Sequence, residues 1–208
     1  MKSTSIKTSK IKNKVTEEFE SDIRIIDMDE NQLIEDNVGV NAVDHEGKIP
    51  LMNALENGQN LAIMQELVKS GANVNAMTDN GMRPYMFAAE DNLEALPFLF
   101  KNGVDVNAAD SDSETPLMWV AGNISNPEAS RICIQNGADV NAATDEGKTP
   151  LMFAAERNDN PEILRILIKN GADVNAEDFH GWTALMWAAV KNENPEILRI
   201  LIESGMSS

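Results

Sequence analysis

The strongest constraint on the fold of this chain is an internal repeat. The residues Asn-Pro-Glu-Ile-Leu-Arg-Ile-Leu-Ile occur twice without a change, at 160–168 and at 194–202, an offset of 34 residues. The same offset carries Gly-Ala-Asp-Val-Asn-Ala from 137–142 to 171–176. A fixed period of this size is typical of a solenoid, in which each unit packs on its neighbours around one continuous core. Since solenoids commonly act as binding surfaces, the repeat also narrows the function.

Helix start and stop signals recur in five consecutive units. The first helix of each unit begins at a proline or an alanine, and a proline costs nothing there because the first helical N–H has no partner. The second helix follows an asparagine, which is a good N-cap, and ends at a glycine, which readily adopts the left-handed conformation that closes a helix. The predicted first helices span Pro50–Asn57, Pro84–Asp91, Pro116–Asn123, Pro150–Arg157 and Ala184–Lys191. The asparagine caps are Asn60, Asn92, Asn126, Asn160 and Asn194, and the glycine stops are Gly71, Gly103, Gly137, Gly171 and Gly205.

Two helices followed by a protruding turn, at a period of 32–34 residues, resemble the ankyrin repeat. The resemblance rests on Thr149-Pro150-Leu151, on Ala154-Ala155 and on Gly171 through Ala176. It implies an all-α solenoid of helix-turn-helix units with protruding β-turn loops, with repeats from residue 37 to residue 208. The five repeats are expected at about 43–76, 77–108, 109–142, 143–176 and 177–208.

The chain departs from the ankyrin pattern at one position of every repeat. Where the family usually has a histidine after Thr-Pro-Leu, this chain has a methionine, which is expected to fill the core. The hydrogen bonds of that histidine would then fall to other groups or to Thr115, Thr149 and Thr183. The methionines are Met52, Met86, Met118, Met152 and Met186.

The two ends of the repeat array are expected to differ: the N-terminal end has a capping unit, and the C-terminal end does not. Residues 1–15 contain five lysines and no acidic residue, so a disordered Lys/Ser/Thr-rich tail is expected. Residues 16–36 are interpreted as a degenerate N-terminal capping unit, because terminal repeats meet water on one face. The second helix of the last repeat copies an internal one and little sequence follows Gly205, which predicts an uncapped apolar face. Self-association through that face, or its coverage by a partner, is the expected consequence.

The second repeat is expected to be the least stable. Pro97 follows Leu93 by four residues, inside the predicted second helix, where a proline costs roughly 3 kcal/mol. A late start of this helix would avoid part of that cost.

Composition excludes several classes of function. The formal charge of −17, from 17 basic and 34 acidic residues, argues against a nucleic-acid reader. The single cysteine, Cys133, allows no intrachain disulfide and is expected to be a small core residue. The sequence has no zinc-type spacing, no phosphate-binding glycine loop and no apolar run long enough for a membrane span. We therefore expect no catalytic residue, metal or cofactor, and a cytoplasmic protein that is not an enzyme; export as an effector stays open.

The candidate partner-binding residues lie at the loop tips and on the first helices, where the resemblance implies a concave groove. Aromatic residues on an exposed tip are typical of binding hot spots, and carboxylates favour a basic partner segment. The candidates are Met82, Glu90, Asp91, Asp112, Glu114, Phe179, His180, Trp182, Val190 and Lys191. For Phe179 and Trp182 the alternative is packing on the neighbouring tip. Trp119 and Trp187 are expected to pack inside the stack.

These features favour a protein–protein interaction module, acting as an adaptor, scaffold or inhibitor, that holds a partner protein in the groove. Two alternatives stay open at this point. One is an acidic decoy of a nucleic-acid-binding protein, and the other is a structural element that oligomerises end to end.

Overall fold

The computed structural model describes residues 39–206, so the predicted tail and N-terminal capping unit lie outside the described residues. Residues 39–206 contain ten α-helices and no strand, which confirms the all-helical prediction. The chain divides into two compact units: unit 1 ends at Arg83 and unit 2 begins at Pro84.

The described residues of unit 1, 39–83, form one helix pair, α1 (Pro50–Glu56) and α2 (Leu61–Lys69). Its core is apolar, and Leu51 and Met64 are fully buried between the two helices and the adjoining loops. The loops are tied by Asn41, whose Nδ2 donates to the Gly71 carbonyl at 2.9 Å. A side chain thereby bridges two loops about one repeat apart.

Unit 2 contains four helix pairs. Its first helices are α3 (Pro84–Asp91), α5 (Pro116–Asn123), α7 (Pro150–Arg157) and α9 (Ala184–Lys191). Its second helices are α4 (Leu96–Lys101), α6 (Pro127–Gln135), α8 (Pro161–Lys169) and α10 (Pro195–Gly205). Successive first helices pack side by side, and so do successive second helices, which gives two helical layers. The core between the layers is formed by fully buried residues that include Leu117, Leu151, Ile163, Leu164 and Ile197.

The second repeat contains the proline that was expected to weaken it. Residues Leu93–Ala95 form a 3₁₀ turn, and α4 begins only at Leu96, so Pro97 lies in the first helical turn. In that turn its missing N–H costs nothing, because first-turn N–H groups have no intrahelical partner. Of the two outcomes that the sequence left open, the structure shows the late start, and α4 has 6 residues where α8 has 9.

Most of the predicted helix ends are present. The side chains of Asn60, Asn126, Asn160 and Asn194 accept hydrogen bonds from backbone N–H groups of the helices that follow them. Asn92 makes no such cap, because the 3₁₀ turn replaces the first α-helical turn. Gly71, Gly103, Gly137 and Gly171 have positive φ angles, as a closing glycine requires. Gly205 differs from the prediction, since it is the last residue of α10.

The methionines that replace the family's histidine are buried in four repeats, and Met186 is 48% exposed. In the third and fourth repeats the exchange also forms a helix cap. Thr115 Oγ1 accepts from the Met118 N–H at 3.4 Å, and the Met118 Sδ lies 3.3 Å from the Thr115 N–H. Thr149 and Met152 repeat this reciprocal pair. Each of these threonines therefore caps its own helix, with a sulfur as the second acceptor; the expectation that they replace the histidine's hydrogen bonds to the loop stays a prediction.

Two further contacts join neighbouring repeats in unit 2. The Asn158 amide donates to the Ala121 carbonyl of the preceding repeat at 2.9 Å. On the second-helix layer, Arg131 reaches Glu162 of the following repeat at 2.9 Å. Cys133 is fully buried, and burial raises the pKa of its thiol to about 12, which confirms its place in the core.

Candidate functional site

Each loop tip is a tight turn closed by one side chain that accepts backbone N–H groups. In the last repeat, Asp178 Oδ1 accepts from the N–H of His180 at 2.8 Å and from that of Trp182 at 2.9 Å. Thr144 Oγ1 accepts from the corresponding N–H groups of Glu146 and Lys148. Asp44, Thr78 and Asp110 occupy the same position in the first three repeats. The turn therefore has a fixed backbone, and the residues beyond it can differ between repeats.

An ion pair links the tip to the first helix in two of the repeats. In the first repeat, Lys48 Nζ lies 2.9 Å from Glu56. In the fourth repeat, Lys148 Nζ lies 2.6 Å from Glu156, and both side chains are largely buried. The pair occupies the side of the first helix next to the loop tip, where the candidate groove was predicted.

The last repeat has Trp182 and Val190 at these two positions, 34 residues beyond Lys148 and Glu156. Val190 is 61% exposed, and Trp182 is partly buried. Phe179, on the same tip, is 79% exposed. An ion pair in the first and fourth repeats is thus replaced by apolar side chains that face solvent.

Trp182 packs against Trp187, which the sequence analysis placed inside the stack. Its ring lies 4.9 Å from that of Trp187, at a tilt of 52°. Trp187 Nε1 donates to Asp178 Oδ2 at 3.0 Å, and the Lys148 ammonium lies 3.8 Å from the Trp187 ring centroid. Trp182 therefore packs against an aromatic residue of its own repeat.

Asp178 anchors this cluster electrostatically. Burial alone would raise its pKa, but hydrogen bonds from the Trp182 and His180 N–H groups and from the Trp187 indole bring the pKa below the ordinary 3.8. The carboxylate stays charged, and the positions of both tryptophans depend on it.

Phe179 has a different neighbour. Its N–H donates to the Glu146 carbonyl at 2.9 Å, and a Cβ added at Gly147 would lie 3.0 Å from its ring. One edge of the ring therefore lies on the preceding tip, and most of the side chain remains open to solvent. The packing alternative applies in part to Phe179.

The acidic part of the candidate surface also contains a basic side chain, Arg157. Arg157 reaches back one repeat to Glu114 at 3.5 Å, and its guanidinium lies 4.6 Å from the Phe153 ring centroid. Gly122 lies beside this side chain, where an added Cβ would be 3.4 Å from Arg157 Cδ, an ordinary van der Waals contact. Burial raises the pKa of Glu114, the neighbouring carboxylates Asp110 and Asp112 raise it further, and Arg157 opposes the shift.

The other predicted residues are distributed over several repeats. Glu90 and Asp91 are exposed at the end of α3, and Lys191 is exposed at the end of α9. His180 is exposed on the last tip, 3.9 Å from Asp178. Met82 belongs to unit 1, where its N–H donates to Thr78 Oγ1 at 2.9 Å. The structure therefore brings Trp182, Val190 and Phe179 into one repeat and leaves the acidic candidates in others.

A model of the ankyrin repeat family, covering three copies of the repeat, matches residues 30–110, 86–178 and 117–208. The chain belongs to the ankyrin repeat family. No curated protein sequence matches it at a significant level. Ankyrin repeats generally mediate protein–protein interactions, and the match covers every loop tip described above.

Residues 39–206 show neither a group of metal ligands nor a membrane-spanning helix. Within this part of the ankyrin chain, no three histidine, cysteine or carboxylate side chains are grouped as metal ligands would be. None of the helices described there has the length and hydrophobicity that crossing a bilayer requires.

Proposed function

We propose that this ankyrin repeat chain binds a partner protein across its loop tips and first helices, with the last repeat as the apolar anchor. The observation that carries the proposal is the replacement of the Lys148–Glu156 ion pair by Trp182 and Val190 in the next repeat. An apolar pair at a solvent-facing position costs solubility unless a partner covers it. Aromatic side chains of this kind dominate the binding energy of many interfaces.

The geometry around Trp182 supports an anchor. Trp187 supports one side of its ring, and the Asp178 carboxylate fixes both the turn and the Trp187 indole. A rigid aromatic side chain loses little conformational entropy on binding, so contact with a partner yields more net affinity. Val190 extends the apolar surface along α9, and Phe179 extends it along the tip.

The acidic candidates favour a basic segment in the partner. Asp112 is exposed, and the pKa of Glu114 is raised by burial and by like charges nearby, so an added cation would stabilise its ionised form. The formal charge of −17 attracts basic partners over longer distances. Charges at the edge of an interface act mainly on the association rate, whereas buried anchors act on affinity.

The repeat itself supplies a test with a built-in folding control. The double substitution Trp182→Lys/Val190→Glu places the ion pair of the fourth repeat into the fifth, so the fold is expected to persist. Partners would be enriched from source cells on wild-type and variant protein and compared by quantitative mass spectrometry. The affinity of each enriched partner would then be measured by calorimetry. We expect the double variant, and Trp182→Ala, to weaken binding at least about tenfold.

Two outcomes would contradict the proposal. Trp182→Ala that leaves affinity intact but lowers the melting temperature would assign the residue to packing. Charge reversal of Glu90, Asp91 and Asp112 should lower the association rate and flatten its salt dependence. If that reversal abolishes binding while the double variant does not affect it, the chain acts as an acidic decoy of a nucleic-acid-binding protein.

A further inference from the structure

The last repeat has a second apolar surface, on the side of α9 and α10 that faces away from the fourth repeat. In the fourth repeat the corresponding residues are Met152, which is buried, and Ile168, which is partly buried. In the last repeat, Met186 is 48% exposed and Ile202 is 46% exposed. We call the surface formed by Leu185, Met186, Ala189, Leu198 and Ile202 the terminal face. No other part of residues 39–206 covers it.

The edge of the terminal face carries an arginine, Arg199, whose counterparts in earlier repeats join neighbouring repeats. Arg131 and Arg165 each cross to a glutamate of the following repeat, at 2.9 Å and 2.6 Å. Arg199 occupies the same position in the last repeat and pairs within its own helix, with Glu196 at 3.0 Å and with Glu203 at 3.9 Å. The arginine that joins one repeat to the next is therefore present at the edge of the terminal face, turned back onto its own helix.

The edge of the terminal face is close to neutral, although the chain as a whole is not. Lys191 and Arg199 are cationic, and Glu193, Glu196 and Glu203 are anionic, so these side chains sum to −1. The whole chain has a formal charge of −17, so two copies repel one another over most of their surface. The terminal face is a place where like-charged copies can approach with little local repulsion.

We propose that two copies of this chain form a twofold dimer through the terminal face, with α10 antiparallel to α10 of the second copy. Arg199 and Glu203 are one helical turn apart, so an antiparallel pair brings each Arg199 toward Glu203 of the other copy. The apolar side chains Met186 and Ile202 then fill the centre. A twofold interface requires such self-complementary charges.

Sedimentation velocity of the full chain over a series of concentrations tests the dimer. The mass should rise with concentration and level off at twice the chain mass of 22.8 kDa. Salt should tighten the dimer, because it screens the repulsion between two strongly negative chains and leaves the apolar contact in place. Binding of a basic partner in the groove should weaken with salt, so the two interactions fail separately.

Substitutions then locate the interface. Met186→Glu and Ile202→Glu should each raise the dimer dissociation constant at least about tenfold. The matched control is Met77→Glu in unit 1, since Met77 is 53% exposed and lies outside the terminal face. Arg199→Glu should weaken the dimer, and adding Glu203→Arg should restore it. Circular dichroism of each variant verifies the fold.

Three results would overturn the proposal. A monomer at every concentration and salt level excludes the dimer, and a species that grows beyond twice the chain mass excludes twofold closure. Failure of the Arg199→Glu/Glu203→Arg pair to restore the dimer excludes the antiparallel arrangement. Trp182→Ala should leave the dimer unchanged, so this substitution separates it from partner binding.

Discussion

The hydrogen bond between Asp178 and Trp187 can be tested with substitutions that the chain already contains elsewhere. The fourth repeat has Thr144 and Phe153 at the corresponding positions. Asp178→Thr should retain the two backbone hydrogen bonds of the tip, as Thr144 does, and lose only the bond from the indole. Trp187→Phe removes the indole N–H from the other side. The double variant recreates a combination that folds in the neighbouring repeat.

The magnitude follows from the geometry. Asp178 is 6% exposed and its Oδ2 accepts the Trp187 indole at 3.0 Å. A hydrogen bond to a charged group contributes about 1.5–3 kcal/mol, and partial exposure of Trp187 places the expected value near the lower end. We expect a coupling energy of about 1.5 kcal/mol in the double-mutant cycle. In melting temperature the non-additivity would be roughly 3–6 °C for a chain of this length.

Thermal unfolding followed by far-UV circular dichroism measures the cycle, since this signal does not depend on the tryptophan being replaced. The lowered pKa of Asp178 fixes the sign of the pH dependence: its contribution is present above the ordinary pKa of 3.8 and is lost as pH falls through the folded value. The coupling should therefore disappear in acid. A coupling below about 0.5 kcal/mol near neutral pH, or one that persists in acid, would refute the reasoning.

Three further predictions concern the stack itself. Residues 92–103 should exchange amide hydrogens faster than residues 160–171, because α4 has 6 residues and α8 has 9; equal protection measured by mass spectrometry would contradict this. Ser130→Ala should stabilise the chain by about 1 kcal/mol in denaturant unfolding, because the buried Ser130 hydroxyl makes no hydrogen bond among the described residues, and a lower midpoint would show that it has a partner. Cys133 should resist alkylation until the chain unfolds, because burial raises its pKa to about 12; rapid labelling of the native protein would mean that the core opens there.

The sequence predicted the helices well because their signals are local. A proline at the start and an asparagine cap act within one turn, and the observed α5, α7 and α9 have the predicted bounds. The late start of α4 was not decided by the sequence, since Pro97 allowed either a strained helix or a shorter one. The structure shows the shorter one, which avoids the steric cost of an interior proline.

The candidate site was less predictable because it depends on side-chain directions. Trp187 was expected to pack, and the periodicity does not reveal that its N–H reaches Asp178, nine residues earlier. Arg157 contacts Glu114 across a repeat while its guanidinium lies over the Phe153 ring, and this needs three positions to be read together. Trp182 and Val190 were among the candidates, and the sequence signal that distinguishes them from the others is that Lys148 and Glu156 occupy their positions in the fourth repeat.

The threonine–methionine caps give this array a sensitivity to oxidants that a histidine at the same position would not. Oxidation of Met118 or Met152 would turn a buried sulfur beside a helix N-terminus into a bulkier polar sulfoxide, and the surrounding core has no room for it. Met186, at the matching position, is 48% exposed in the single chain, so an oxidant reaches it more readily than it reaches Met118 or Met152. Oxidation of the buried caps therefore requires that the stack open first.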